Sequence, residues 1–261
     1  MTRLIRVELL KIRTTRLSYG LLATGAGLTA LFSVLEASRA GTADVRPLNT
    51  IAGFSAMVTG GVWTLLLATV LGVTVSSGEF RHATATLTYL ATPRRDRVLA
   101  AKAAAAALAG AVFGLTGYVI SVGVALSFVA AHGYQVPVGA ATLARYGAGY
   151  LVAAALLAAV GVALGSLIRS QLAGVIGVFV WAIVIESLVG ALFNPVQPYL
   201  PYTAATTLAG SQLGGAAFGP AHGAASTAVA LPFAAATALL AALAVVLAAV
   251  AARTTVARDV S

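Results

Sequence analysis

Residues 76–102 read SSGEFRHATATLTYLATPRRDRVLAAK, and their charge decides how the rest of the chain is parsed. Five of the sixteen Lys and Arg residues fall here (Arg81, Arg94, Arg95, Arg97 and Lys102), with two of the seven acids, Glu79 and Asp96. Long apolar runs lie on both sides. A charged interval between two such runs is the pattern of a connection held outside the hydrocarbon by two membrane spans.

Working outward, the composition agrees. The chain of 261 residues is 60% hydrophobic and only 9% charged, with a mean hydropathy of +0.97. A soluble domain carries about 25% charged residues. Frequent alanine and glycine suit close helix packing in lipid. The net charge of +9 would suggest nucleic acid in a soluble protein, but the bases sit at the ends of apolar runs, where the membrane accounts for them and no nucleic-acid partner is expected. There is no cysteine and there are three scattered histidines, so thiolate chemistry is excluded and no metal site is expected.

A span needs about 20 mostly apolar residues. Six candidates meet that need, at residues 18–35, 53–75, 103–130, 146–168, 171–193 and 227–252, making residues 1–261 one transmembrane domain of an all-α membrane protein. Only Arg169 and Ser170 separate the fourth and fifth, which predicts a tight antiparallel hairpin. Thirteen of the Lys and Arg residues fall on the side of the N-terminus and three on the other, so both termini are expected in the cytoplasm of a multi-pass protein of the cytoplasmic membrane. The first apolar run is longer than the core of a signal peptide, which predicts an uncleaved first span.

Two flanking segments carry structure of their own. Residues 2–13, TRLIRVELLKIR, have helix-forming composition, with Ile5, Leu9 and Ile12 on one stripe and Arg3, Arg6 and Arg13 on an adjacent face. Together with Lys11 they predict a helix lying in the membrane interface and leading into the first span. Between the fifth and sixth spans, residues 194–226 hold no charged group, and residues 202–209 can form two helical turns. That segment is expected to lie in the outer interface or dip into the protein, capping whatever cavity the spans enclose. Glu186 is the only ionisable residue well inside a span. It is a candidate for the translocation path or for a protonation site, and equally for a carboxyl satisfied by a neighbouring helix or by the loop that follows. Gly110-x-x-x-Gly114 and Gly161-x-x-x-Gly165 allow close helix contact.

No catalytic set is present. Both lysines, Lys11 and Lys102, are followed by apolar residues, so the phosphate-binding loop that ends in Lys-Ser/Thr does not exist in this chain. No catalytic residues and no cofactor bound by the chain itself are expected. If the protein performs driven work, the energy comes from a partner or an ion gradient.

The quoted stretch then becomes more specific. Gly78-Glu79-Phe80-Arg81-His82, Ala83-Thr84-Ala85-Thr86-Leu87 and Leu90-Ala91-Thr92-Pro93-Arg94-Arg95, followed by Arg97 and Lys102, resemble the segment after the second span of ABC-2 type transporter permeases, the membrane subunits of type 2 ABC exporters. The likeness extends to the interfacial N-terminal helix, the six spans and Tyr199-Leu200-Pro201 before the sixth; one departure is Ala83, where the family often has Gly. The resemblance implies an elbow helix at the N-terminus and, between spans two and three, a coupling helix docking on a separate cytoplasmic ABC ATPase. That subunit would hold the ATP and Mg, and two permeases, identical or paralogous, would join two ATPases, with spans one, two and five lining the path. The residues agree independently. On a helix over 78–91, Phe80, Ala83, Thr84, Leu87 and Leu90 share one apolar face suited to a partner groove, and Pro93 ends it. Glu79 and the bases near it are placed to brace that helix.

The expected function is therefore that of a permease subunit of an ATP-driven exporter, set in membrane lipid and moving a small or amphipathic, lipid-like compound. Its rivals are a non-transporting scaffold or signalling subunit, and a proton-driven secondary transporter using Glu186.

Overall fold

The computed structural model describes residues 1–39, 47, 49–81, 95–168, 170–210, 218 and 230–254, with the backbone alone at 79–81 and 95. Every element among the described residues is helical. Helix α1 (Thr2–Thr14) precedes span one, α2 (Arg16–Arg39). Span two consists of α3 (Ile51–Thr59) and α4 (Val62–Arg81), span three is α5 (Arg95–Ala131), and span four is α6 (Ala140–Ile168). Span five runs through α7 (Gln171–Phe179), a π-helical segment Val180–Ile185 and α8 (Glu186–Leu192). A 3₁₀ turn Asn194–Tyr199 leads into the short α9 (Pro201–Leu208), and span six is α10 (Phe233–Thr254). Six helices are long and apolar enough to cross a membrane, as the hydropathy of the sequence predicts.

The boundaries differ from the expected ones where local chemistry intervenes. Span three is 37 residues long, about 55 Å at 1.5 Å per residue, so it projects well beyond an apolar core of about 30 Å. Its charged first turns, Arg95 to Lys102, are thus a continuation of the helix, not a loop. Span six begins directly after Pro232, later than the predicted 227, because the residue before a proline is kept out of helical geometry. Ser170 accepts from Ala173 N (3.4 Å) and starts α7 immediately after span four, giving the predicted hairpin its sharp reversal.

Span two is the core. Its apolar window is 83% buried inside the chain, against 22% for spans one and five and 17% for span six. The expectation that span two lines a path together with spans one and five meets a packing limit here, because few of its side chains are left to face anything beyond their own chain. Glycine makes that enclosure possible. A Cβ on Gly161 of span four would lie 2.1 Å from the Thr69 carbonyl of span two, and one on Gly165 would lie 2.5 Å from that of Val73. The Gly110/Gly114 pair of span three meets the backbone of Ala154 and Tyr150 in the same way. Both predicted small-residue motifs therefore sit at backbone-to-backbone contacts, where dispersion and the lack of competing side chains hold helices together in lipid.

Span two is also interrupted, which its apolar run did not disclose. At Gly60-Gly61 the N–H groups reach back to Met57 O (3.2 Å) and Val58 O (3.1 Å), tightening the turn before α4 starts. The Tyr150 hydroxyl of span four donates to the Val58 carbonyl at this break. A Cβ on Gly61 would fall 2.1 Å from that hydroxyl oxygen. The glycine pair thus opens a slot in the core, and a buried tyrosine fills it.

Gly161→Ala is expected to lower the thermal midpoint of the purified protein in detergent, through an over-packing cost of about 1–3 kcal/mol. Gly123→Ala in span three, where a Cβ meets nothing within 4 Å, is expected to leave the midpoint unchanged or raise it, since Ala favours a helix by about 0.5–1 kcal/mol.

Candidate functional site

Two polar assemblies stand out in this apolar bundle, one on the face that carries the N-terminus and one near the opposite face. The first is built on α1. Ile5 and Leu9 pack partly buried against the core and Ile12 is buried, so the predicted stripe faces the protein. Arg3, Arg6, Lys11 and Arg13 are exposed. Val7 and Leu10, 50% and 60% exposed, lie on the outward side.

Glu8 shares the inward stripe at helical spacing with Ile5, Leu9 and Ile12, and it is buried. A carboxylate there needs partners, and it has two cations. Lys11 Nζ lies 2.7 Å from its Oε1, and Lys102 Nζ, from the base of span three, lies 3.2 Å from its Oε2. Lys102 is itself only 4% exposed. The ion pair therefore ties the N-terminal helix to the first turns of span three, at the end of the charged stretch 76–102. In the sequence Lys11 reads as a base of the N-terminal helix and Lys102 as a base of the charged connection, and Glu8 is not singled out. The available signal was an acid at the Ile5/Leu9/Ile12 spacing and a lone lysine entering an alanine run.

The second assembly is made by span five and the segment after it. The π-helical turn Val180–Ile185 adds a residue to the helical register, and such turns re-aim the side chains that follow. The next residue is Glu186, with no exposed surface. Helix α9 starts with Leu200 at its N-cap and Pro201 in its first turn, so the N-cap residue supplies no capping side chain. Glu186 supplies the acceptor from another helix. Its Oε2 accepts from Tyr202 N (3.1 Å), and its Oε1 accepts from Thr203 N (2.5 Å) and Thr203 Oγ1 (2.9 Å). A carboxylate on the positive end of a helix, bonded to its orphan N–H groups, is a charge-assisted cap.

The cap holds α9 inside the protein. Tyr202, Thr203, Ala204, Ala205, Thr206 and Leu208 are buried, so the helical part of this segment dips inward, one of its two predicted placements. The Tyr202 hydroxyl donates to Thr69 Oγ1 of span two (3.0 Å). Its ring meets Phe218 edge-on at 5.8 Å, Phe218 meets Trp63 at 5.1 Å, and Trp63 meets Phe32 of span one at 4.7 Å. Ser187, beside Glu186, donates to the Phe218 carbonyl (2.8 Å). A chain of aromatic rings thus runs from span one across span two to α9.

Next to the capped N-terminus of α9 lies a cavity of ≈ 340 Å³, walled by residues of spans two, four, five and six. Pro201 and Tyr202 bound it on the α9 side, Trp181 comes from the π-helical turn, and Val160, Leu164 and Val178 form much of the wall. Its polar side-chain groups are the Thr69–Tyr202 hydroxyl pair and the Trp181 indole N–H. Glu186 is not among the lining residues; its carboxylate is bonded to α9 and to the side chain of Trp181, which does line the cavity.

The predicted docking residues fare differently. Glu79, Phe80 and Arg81 continue α4 in backbone, and Arg95 and Arg97 lie in the first turns of α5, Arg97 exposed. Ala83, Thr84, Leu87, Leu90, Thr92, Pro93 and Arg94 lie outside the described residues. Among the described residues no group of three or more His, Cys, Asp and Glu is placed to hold a metal ion.

Six apolar helices, an N-terminal helix docked on their base and a short helix tucked in before the sixth define a multi-pass helical membrane protein. A profile of ABC-2 family transporter proteins matches residues 4–185, and the chain belongs to that family. No curated protein sequence matches the chain. The family makes the chain a permease of the ABC type, a transport subunit associated with an ATPase subunit.

Two outcomes are expected from the assemblies. Glu8→Gln removes the charge that joins Lys11 to Lys102, and the folded state should lose stability, read as a lowered thermal midpoint in detergent. Glu186→Ala removes the cap of α9 and should cost about 1–3 kcal/mol; chymotrypsin should then cut within residues 199–210 faster than in the wild type, while cleavage elsewhere is unchanged.

Proposed function

We propose that this chain is the permease half of an ATP-driven exporter that carries a small amphipathic or lipid-like compound out across the cytoplasmic membrane. The observation that carries this reading is the apolar cavity between spans two, four, five and six, bounded by a helix that a single carboxylate holds in place. An apolar chamber with one hydrogen-bonded polar pair suits a ligand of mostly hydrocarbon surface and one polar group. A strongly charged solute would have to shed its hydration there without compensating partners.

In this reading both termini lie in the cytoplasm, and the thirteen bases of that side face the anionic inner leaflet. Two permeases, identical or paralogous, pair with two ATPases, which bind the ATP and Mg. The apolar stripe of Phe80, Ala83, Thr84, Leu87 and Leu90 docks on the ATPase, with Glu79, Arg81, Thr92, Pro93, Arg94, Arg95 and Arg97 around it. Movement of that segment is carried into span two on one side and into span three on the other. The Glu8–Lys102 pair makes the N-terminal helix follow span three. Glu186 then acts on the path indirectly, by keeping α9 seated over the cavity until the spans rearrange.

Co-expression with the ATPase subunit and reconstitution in liposomes tests the proposal. Amphipathic compounds are expected to stimulate ATP hydrolysis and to move in an ATP-dependent way. Leu164→Trp, which fills the cavity, is expected to reduce stimulation at least tenfold with the complex still assembled. Phe80→Asp or Leu87→Asp is expected to abolish copurification of the ATPase. Transport that continues without ATP would favour an ion-driven carrier, and copurification that survives both aspartates would refute the docking surface.

A further inference from the structure

The apolar cavity beside α9 has a hydrogen-bonding polarity that its hydrocarbon wall conceals. Thr69, Trp181 and Tyr202 bring its polar side-chain groups. Tyr202 is bonded to Thr69 through its hydroxyl, and to Glu186, the partner of Trp181, through its N–H, so all three share one end of the cavity. A Cβ on Gly161 would touch the Thr69 carbonyl. Ile168, also in the lining, is seven residues beyond Gly161, about 10 Å along span four.

The protons at the polar end are committed inside the protein. The Tyr202 hydroxyl donates to Thr69 Oγ1 (3.0 Å), and the Thr69 hydroxyl donates in turn to the Leu65 carbonyl of its own helix (3.3 Å). The Trp181 indole N–H is bonded to Glu186. The start of a helix ordinarily offers free N–H groups to a ligand, but α9 withholds its first three. Pro201, which lines the cavity, has no N–H, and those of Tyr202 and Thr203 go to Glu186. Lone pairs are left over. A hydroxyl oxygen carries one proton and two acceptor positions. Thr69 Oγ1 has filled one of its two with Tyr202, and the Tyr202 oxygen, having given its proton, still accepts. A ligand whose polar atom can only accept meets other acceptors there and loses its water without replacement.

We infer that this cavity selects apolar compounds whose polar group donates a hydrogen bond, an alcohol or a neutral N–H compound, over acceptor-only compounds of the same size, and that Thr69 sets the preference. By taking the Tyr202 proton, Thr69 holds that hydroxyl as an acceptor toward the ligand. Without the Thr69 oxygen, Tyr202 is free to donate instead. The preference rests on the reading of this cavity as the cargo site and names the class of compound that the site takes.

Trp181 is a built-in reporter, since the chain has only one other tryptophan, Trp63. In a Trp63→Phe background the full chain, with any ATPase subunit that copurifies, is placed in phosphatidylcholine vesicles. Bromododecanol, whose bromine quenches indole fluorescence, is added as a mole fraction of the bilayer. Trp181 is 41% exposed, so bulk lipid adds quenching that does not saturate. The saturable part is competed by dodecanol and by its isomer methyl undecyl ether, which lacks only the donor. Dodecanol is expected to displace the probe at about a fivefold lower mole fraction, the worth of one hydrogen bond. Thr69→Val should reduce that ratio to less than twofold by improving the ether, with dodecanol unchanged, and Thr69→Ser should retain it. A general loosening of the site would weaken both isomers. Gly177 lines the cavity and a Cβ on it meets nothing within 4 Å, so Gly177→Leu should fill the space and remove the saturable quenching. Should Trp63→Phe lower the yield of monodisperse protein, the chain with both tryptophans gives the same ratio once the Gly177→Leu signal is subtracted.

Equal displacement by the two isomers, or a ratio unchanged in Thr69→Val, overturns the inference and leaves the cavity as a cargo site. Absence of saturable quenching by bromododecanol overturns it together with the cargo reading. Saturable quenching that survives Gly177→Leu also overturns it, because the ligand is then held elsewhere.

Discussion

Span two runs through the middle of its own chain, and the rest of the structure follows from how closely span four approaches it. In hydrocarbon, helices gain nothing from excluding water, so they adhere through dispersion and short-range polar contact. That needs small residues at the crossing. Gly161 and Gly165 set span four directly against the carbonyls of Thr69 and Val73, and Gly72 of span two returns the contact on Ala158. Ser76 and Ser166 extend it with a buried hydroxyl pair at 2.6 Å. Once this pair is closed, spans one, three, five and six have a surface to pack on, and their outward faces remain apolar for lipid or for another protein.

Carboxylates hold what this packing cannot. The membrane makes an isolated charge costly, so each buried acid is placed where several donors converge. Glu8 draws two lysines, and through Lys102 it joins the interfacial helix to the base of span three. Glu186 draws the N-terminus of α9, and through that helix it joins span five to span two, where Tyr202 meets Thr69. The two acids act alike: each holds a short accessory helix on a long one. Because both helices lie at the ends of the bundle, motion of the spans can be passed to them, or blocked by them, without disturbing the glycine-packed centre.

The π-helical turn in span five belongs to the same logic. A regular helix through Val180–Ile185 would present Glu186 about 100° away from its observed direction. The extra residue aims the carboxylate at α9 and brings Trp181 to the apolar cavity. That cavity and a cleft beside Lys11 differ in lining: the first holds a hydroxyl pair and an indole N–H in an apolar wall, the second mixes ions, hydroxyls and hydrocarbon.

The six candidate spans, the N-terminal helix and the family were legible in the chain alone, because they depend on hydropathy, on helix-forming composition and on a local motif. Such features are properties of consecutive residues, and lipid enforces them segment by segment. The small-residue motifs could be read as contacts, though not as contacts with a particular helix. Only the tertiary structure decided that span two is enclosed, that it breaks at Gly60-Gly61 to admit Tyr150, that Glu8 meets Lys102, and that Glu186 caps α9. Each of those joins residues far apart in the chain, and a buried polar group specifies only that a partner must exist. Which partner it finds is set by the geometry of packing, which no stretch of sequence carries by itself.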